Sequence, residues 1–135
     1  MNCTLDLASD ATFEFRWTGC LGQYGRNHGS VSRQGDEVTL VPLEPNPEGF
    51  GGMDTSLIMV AWGDRKYLIP ADELIEFCND VNAGTEPRDS VFGTHYLREG
   101  DESKRVSGHP EVPAKWREYL LDQSVTARVI RVDAG

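Results

Sequence analysis

The chain has 135 residues, 39% of them hydrophobic and 26% charged, the composition of a globular domain and not of a disordered chain. Thirteen basic against 22 acidic residues leave a net charge of −9, a field that repels phosphate backbones and argues against a nucleic-acid partner. No apolar run approaches the about 18 residues that a spanning helix needs, so no membrane segment is expected.

That length fits one domain over residues 1–135, long enough to bury a core. The N-terminus, Met-Asn-Cys-Thr-Leu-Asp-Leu, lacks a basic region followed by an apolar stretch, and the default expectation is a cytoplasmic protein. Cys3, Cys20 and Cys78 form no Cys-x-x-Cys pair and no zinc spacing. The odd count suggests reduced thiols, with one Cys3–Cys20 bridge left open.

Residues 3–7 and 13–17 alternate. Cys3, Leu5, Leu7, Phe13, Phe15 and Trp17 hold odd positions, while Thr4, Asp6, Glu14 and Arg16 hold even ones. Period two is the mark of strands with one buried face. Leu7 opposite Phe15 would put all six apolar groups together, and a bulge at Gly19 would be needed to bring Cys20 to the same side. Residues 29–41 read as a second hairpin, with Gln34-Gly35 as its turn and Val31 facing Val38.

The third hairpin is the most legible. Gly63-Asp64 is a favoured turn dipeptide, and it sets Val60 opposite Tyr67 and Ile58 opposite Ile69. Leu57, Met59 and Ala61 make the other face of the same strand apolar as well, which predicts a central or covered position. Pro70, Asp72 and Glu73 then suit a helix start. Leu74, Phe77, Cys78 and Val81 recur at helical spacing on one stripe, and Gly84 is a fitting stop. Residues 91–98 read as another strand. Pro113 opens a short helix bearing Trp116, Tyr119 and Leu120, and residues 124–132 close the chain as a strand. Two long connections, 42–55 and 99–112, are candidates for functional loops.

Asp72, Glu76 and Asp80 are spaced to line one helix face, with Glu73 beside them and no Lys or Arg between 67 and 87 to offset them. This is either a solvated face or a docking surface for a basic protein partner. Such a stripe lacks the alternate-position ligands of a calcium loop. Histidines 28, 95 and 109 form no metal-binding pair, so neither a metal nor a cofactor is expected. Cys78 sits on the apolar helix stripe, where a thiol serves as a small hydrophobe. The run Glu48-Gly-Phe-Gly-Gly-Met-Asp-Thr-Ser lacks the Gly-Lys-Ser/Thr ending of a phosphate loop, and no Gly-x-Ser-x-Gly occurs. Phe50 and Met53 within it are candidate contact residues or part of a lid. An enzyme would require two or three of His28, His95, Asp54 and Cys20 to converge in one cleft.

The cadence Leu5-x-Leu7, Thr12-Phe13-x-Phe15, Gly22-x-Tyr24 and Gly35-Asp36-x-Val38-Thr39-Leu40 resembles small bacterial lipocalin-like (calycin-type) barrel proteins. The block Trp62-Gly63-Asp64-Arg65 through Ile69-Pro70 and Tyr96-Leu97-Arg98 is similar to uncharacterised proteins of that kind. The resemblance implies a barrel and transfers no functional residue. The chain departs from it in lacking the Gly-x-Trp signature on the first strand and in placing a helix mid-chain.

The expected fold is therefore mainly β (α+β): a bent antiparallel sheet or small barrel of about six to eight strands with two short helices. The expected function is a non-catalytic binding domain, immunity- or inhibitor-like toward a basic partner, using Asp72, Glu73, Glu76, Asp80, Phe50 and Met53. The alternative is a carrier of a small apolar ligand in a cavity lined by Phe13, Phe15, Trp17, Val60, Trp62 and Tyr67.

Overall fold

A computed structural model describes residues 2–48, 51–87 and 95–120. Its strands are β1 (Asn2–Leu7), β2 (Thr12–Gly19), β3 (Gly22–Gln34), β4 (Glu37–Pro42), β5 (Ser56–Trp62), β6 (Arg65–Pro70) and β7 (Tyr96–Leu97). They form one seven-stranded sheet in chain order, each strand antiparallel to the next. The 13-residue β3 pairs with β2 along its first part and with β4 along its last. A register shift between Trp17 and Thr18 adds local twist there. The sheet curls into a nearly closed barrel, with Cys3 Sγ on β1 only 3.7 Å from Tyr96 Oη on β7.

Register assigns the faces. Phe15 lies opposite Leu5 and Asn27, Val31 opposite Leu40, Val38 opposite Leu57, and Met59 opposite Leu68. These residues share the concave face, where Phe13, Phe15, Val38, Leu40, Met53 and Leu57 are buried. The convex face of β5–β7 carries a second cluster: Ile58, Val60, Trp62, Tyr67, Ile69 and Leu97. A covered strand apolar on both faces was the expectation for β5, and both clusters draw on it.

The cover is α1 (Leu74–Asn82), preceded by a 3₁₀ turn at Ala71–Glu73. Leu74, Phe77 and Cys78 face inward, each large side chain adding about 1.5–3 kcal/mol of burial. Phe77 meets Tyr67 and Trp62 edge-on at 5.1 and 6.5 Å between ring centres. Burial pushes the Cys78 thiol pKa up, consistent with a packing role. Gly84 (φ 85°) ends the helix in a Schellman motif: its amide donates to Val81 O and that of Thr85 to Asp80 O. The predicted second helix is a 3₁₀ run, Ala114–Tyr119, packed on α1 through the Asn82–Tyr119 O bond at 2.7 Å. None of the helices among the described residues is long and apolar enough to cross a membrane.

Two hairpin registers differ from expectation, each by two residues. Leu7 faces Phe13, not Phe15, because Ala8–Ala11 form the turn, with Ala11 at φ 63°. Val31 faces Leu40, not Val38, because the turn is Gly35-Asp36 and not Gln34-Gly35. Gly35 at φ 62° supplies the left-handed first position, as Gly63 at φ 57° does between β5 and β6. An even slip keeps each side chain on its own face, so the buried faces are unchanged. The Cys3–Cys20 bridge does not form: Cys3 faces Trp17 inside, Cys20 is exposed at the β2–β3 turn, and none of the three cysteines is in a disulfide. Of the strand predicted over 91–98, Tyr96–Leu97 is described; the strand predicted over 124–132 lies outside the described residues.

The charge-rich connection after β7 is a strap across one end of the sheet. Arg65, only 3% exposed, donates to Lys104 O (2.9 Å), Glu102 O (3.1 Å) and Tyr67 Oη (3.2 Å). Tyr67 in turn donates to Pro87 O at 2.7 Å. Asp101 is fully buried: its Oδ2 accepts from the Lys66 amide (2.8 Å) and Arg98 Nε (3.0 Å), and Lys104 Nζ lies 3.0 Å from Oδ1. Burial alone would raise the Asp101 pKa, but these donors outweigh it and hold the carboxyl below the usual range. Trp62 Nε1 bonds Gly108 O, and Glu111 bridges to Ala61. The loop read as a functional candidate is thus tied down by its own charges.

Candidate functional site

The opposite end of the barrel is open, and two segments meet there. The first is the 42–55 connection. Asn27, buried in β3, donates through Nδ2 to Glu44 O and accepts the Glu44 and His28 amides at Oδ1. Asn46 clasps Met53 on both sides: its Nδ2 donates to Met53 O at 2.9 Å and its Oδ1 accepts the Met53 amide at 2.8 Å. Met53 is thereby held in the concave core. The loop also lies flat on β3: a Cβ at Gly25 would sit 2.4 Å from Gly51 O, so only glycine permits the approach.

The second segment is the 3₁₀ turn after β6. Leu57 pairs with Pro70, so the residues just before β5 and just after β6 emerge together. Asp54 and Asp72 consequently share the rim. Partial desolvation and then the Asp72 charge raise the Asp54 pKa. Glu73 is raised to about 6 by partial burial first, then by a hydrogen bond with Glu76 and the charges of Glu76, Asp72 and Asp54. Among the described residues, no Lys, Arg or His forms an ion pair with any of the four.

Between these segments lies a cavity of about 560 Å³. Its floor is Phe15, Trp17 and Met53 with Cys3 and Tyr96, and its rim carries Glu48, Asp54 and Asp72. Burial is the main cause that pushes the Tyr96 hydroxyl pKa up, so the ring stays neutral. A second cavity, about 550 Å³ and more apolar, opens along the seam between β1 and β7 beside Leu5, Leu7, Met59 and Leu68.

The candidate residues are redistributed accordingly. The acidic stripe is not one α-helical line: Asp72 belongs to a 3₁₀ turn that precedes α1, which turns it toward the rim. Glu73 and Glu76 join it electrostatically, whereas Asp80 is exposed one helical turn beyond Glu76. Met53 is buried; Phe50 lies outside the described residues.

The six proposed cavity residues divide. Phe13, Phe15 and Trp17 face the barrel interior, while Val60, Trp62 and Tyr67 lie on the convex face under α1 and cannot line the same void. The four candidates for an enzyme's site are also apart from one another. His28 meets Glu44 at 3.5 Å on the outer surface, Cys20 is at a turn, His95 packs near Tyr67 and Phe77, and only Asp54 is at the mouth.

Asp54 is the residue whose weight in the site the sequence understated: the Ile58–Ile69 register already implied the Leu57–Pro70 pairing, but the 3₁₀ turn that brings the Asp72 charge to it leaves no spacing pattern. No family model, curated protein or solved structure matches this chain.

Proposed function

We propose that this protein is a non-catalytic binding domain that engages a basic partner at the open end of its barrel. The observation that carries this reading is the convergence of Asp54 with Asp72 and Glu73. Two segments that could have pointed anywhere present carboxylates to one another at the lip of a cavity, with no cation of the described chain beside them. Crowded carboxylates with raised pKa values are stabilised by an incoming positive charge. An acidic net charge adds steering toward such a partner. Inhibition or immunity toward a basic protein is one form of this activity.

Affinity capture from the source cells tests it, comparing the native chain with the Asp54→Asn, Asp72→Asn, Glu73→Gln variant. The expected result is a basic protein retained by the native chain, released by salt, and lost with the variant. Equal capture by both would overturn the reading.

A second reading, carriage of a small apolar ligand in a lipocalin-like manner, is favoured by the seam cavity beside Leu5, Leu7, Met59 and Leu68. It predicts tight binding of a neutral hydrophobe with no dependence on Asp54 or Asp72.

A further inference from the structure

We propose that the cavity at the barrel mouth is a receptor for an organic ammonium or guanidinium group carried on an apolar stem, with Trp17 and Tyr96 receiving the stem and Asp54 and Asp72 the charge. The inference rests on the reading that the mouth is where a cation binds, and it names the chemistry that enters.

The acidic rim alone would attract any cation, including a hydrated metal. The floor decides otherwise. Phe15, Trp17 and Tyr96 bring three aromatic residues to the cavity that Asp54 and Asp72 line, and Met53 adds a thioether to the wall. Trp17 is held in place by an edge-to-face contact with Tyr24, ring centres 5.8 Å apart. A hard divalent ion gains nothing from such a floor, since it demands a shell of oxygens. An ammonium on an alkyl stem gains from both layers: ring faces attract the cation and bury the stem, and the carboxylates supply the counter-charge.

Size agrees. The cavity, about 560 Å³, falls within the range of about 300–1,000 Å³ typical of small-molecule sites. Asn46, Glu48, Asp54 and Asp72 line it as well, which disfavours a purely hydrocarbon guest. The site is also built and not fluid: the Asn46–Met53 clasp and the Gly25–Gly51 approach fix the loop that forms one wall.

The cation could come from a free amine or from a Lys or Arg side chain of a partner protein, and the test separates them. The indole N–H of Trp17 is followed by NMR while three probes are titrated: n-hexylammonium, neutral 1-hexanol, and a short peptide with a single exposed lysine. The proposal expects saturable binding of hexylammonium at least about 10-fold tighter than hexanol, reduced about 10-fold or more in the Asp54→Asn, Asp72→Asn variant. It also expects weakening when ionic strength rises from about 0.02 to about 0.5 M, a readout that needs no variant to fold.

Tighter binding of the peptide than of hexylammonium assigns the pocket to a partner's side chain; the reverse assigns it to a free amine. Equal binding of hexanol and hexylammonium, or no saturable Trp17 shift with either cation, would overturn the proposal. Loss of amine binding with capture of a basic protein intact would sink this inference alone. The opposite pattern would sink the partner reading and leave the amine site standing.

Discussion

Asp54 and Asp72 line one cavity at the barrel mouth, where the Asp72 charge helps to raise the Asp54 pKa, because Leu57 and Pro70 are paired on adjacent strands. A fold gains no stability from that arrangement. Like charges set side by side without a counter-ion cost a few tenths of a kcal/mol each. The first prediction uses this cost. Asp72→Asn should raise stability at neutral pH by about 0.5 kcal/mol while weakening cation binding at the mouth. Denaturant unfolding and the NMR titration measure the two effects. A solvated surface residue would show neither.

Glu73 gives the same cluster a pH signature. Partial burial, the Glu76 contact and the neighbouring acids lift its pKa from 4.5 to about 6 in the folded chain. Folding therefore takes up a proton, and that contribution is complete below about pH 4.5 and lost as pH climbs through about 6. Between pH 4.5 and pH 7 the native chain should lose about 1 kcal/mol more stability than Glu73→Gln, solvent screening included. Parallel profiles for the two proteins would show that Glu73 is not perturbed.

Arg65 and Asp101 make the strap the most fragile element to charge removal. Asp101→Ala strips the Lys66 amide and the Arg98 and Lys104 side chains of their shared acceptor, and should cost about 2–3 kcal/mol. Arg65→Met should cost about 3 kcal/mol, since two carbonyls and the Tyr67 hydroxyl lose a buried donor. Both variants should speed hydrogen exchange at the Asp64 amide, which bonds Arg105 O, and leave the Met53 amide unchanged.

Asn46→Ala should act at the other end. It removes both arms of the Met53 clasp and should cost about 1–2 kcal/mol. The Met53 amide should lose exchange protection, and cation affinity at the mouth should fall because one wall of the cavity is no longer fixed. If affinity is unchanged while the clasp opens, the loop is not part of the site.

Gly63→Ala tests the turn. Its φ of 57° disfavours any Cβ, and the added carbon would lie 2.5 Å from Arg105 O. A loss of about 2 kcal/mol or more is expected in thermal or denaturant unfolding. Gly35→Ala shares the left-handed φ but has open space around it, so it should cost less.

Alternation and helical spacing were enough to place the faces of β1, β2, β5 and β6 and the buried stripe of α1. Those patterns are local, and burial rewards them whatever the rest of the chain does. The Gly63-Asp64 turn was equally local, and it fixed the Val60–Tyr67 register. Where two turns competed, at Ala8–Ala11 and Gly35-Asp36, the register moved by two residues and only parity was preserved.

What no local pattern could supply was which residues meet. Register between β2 and β5 separated Phe15 and Trp17 from Val60, Trp62 and Tyr67, so six apolar candidates for one cavity became two clusters on opposite faces. A 3₁₀ start to the helix took Asp72 out of the acidic stripe and set it against Asp54. The charge-rich 99–112 segment became a strap only because Arg65 and Lys66 lie where it crosses. The sequence alone determined the alternating strands, the covered β5–β6 hairpin and the surplus of acid. Closing the sheet decided what that acid meets, because it carries Trp17 of β2 and Tyr96 of β7 to the mouth that holds Asp54 and Asp72, a long-range contact that leaves no periodic trace in the chain.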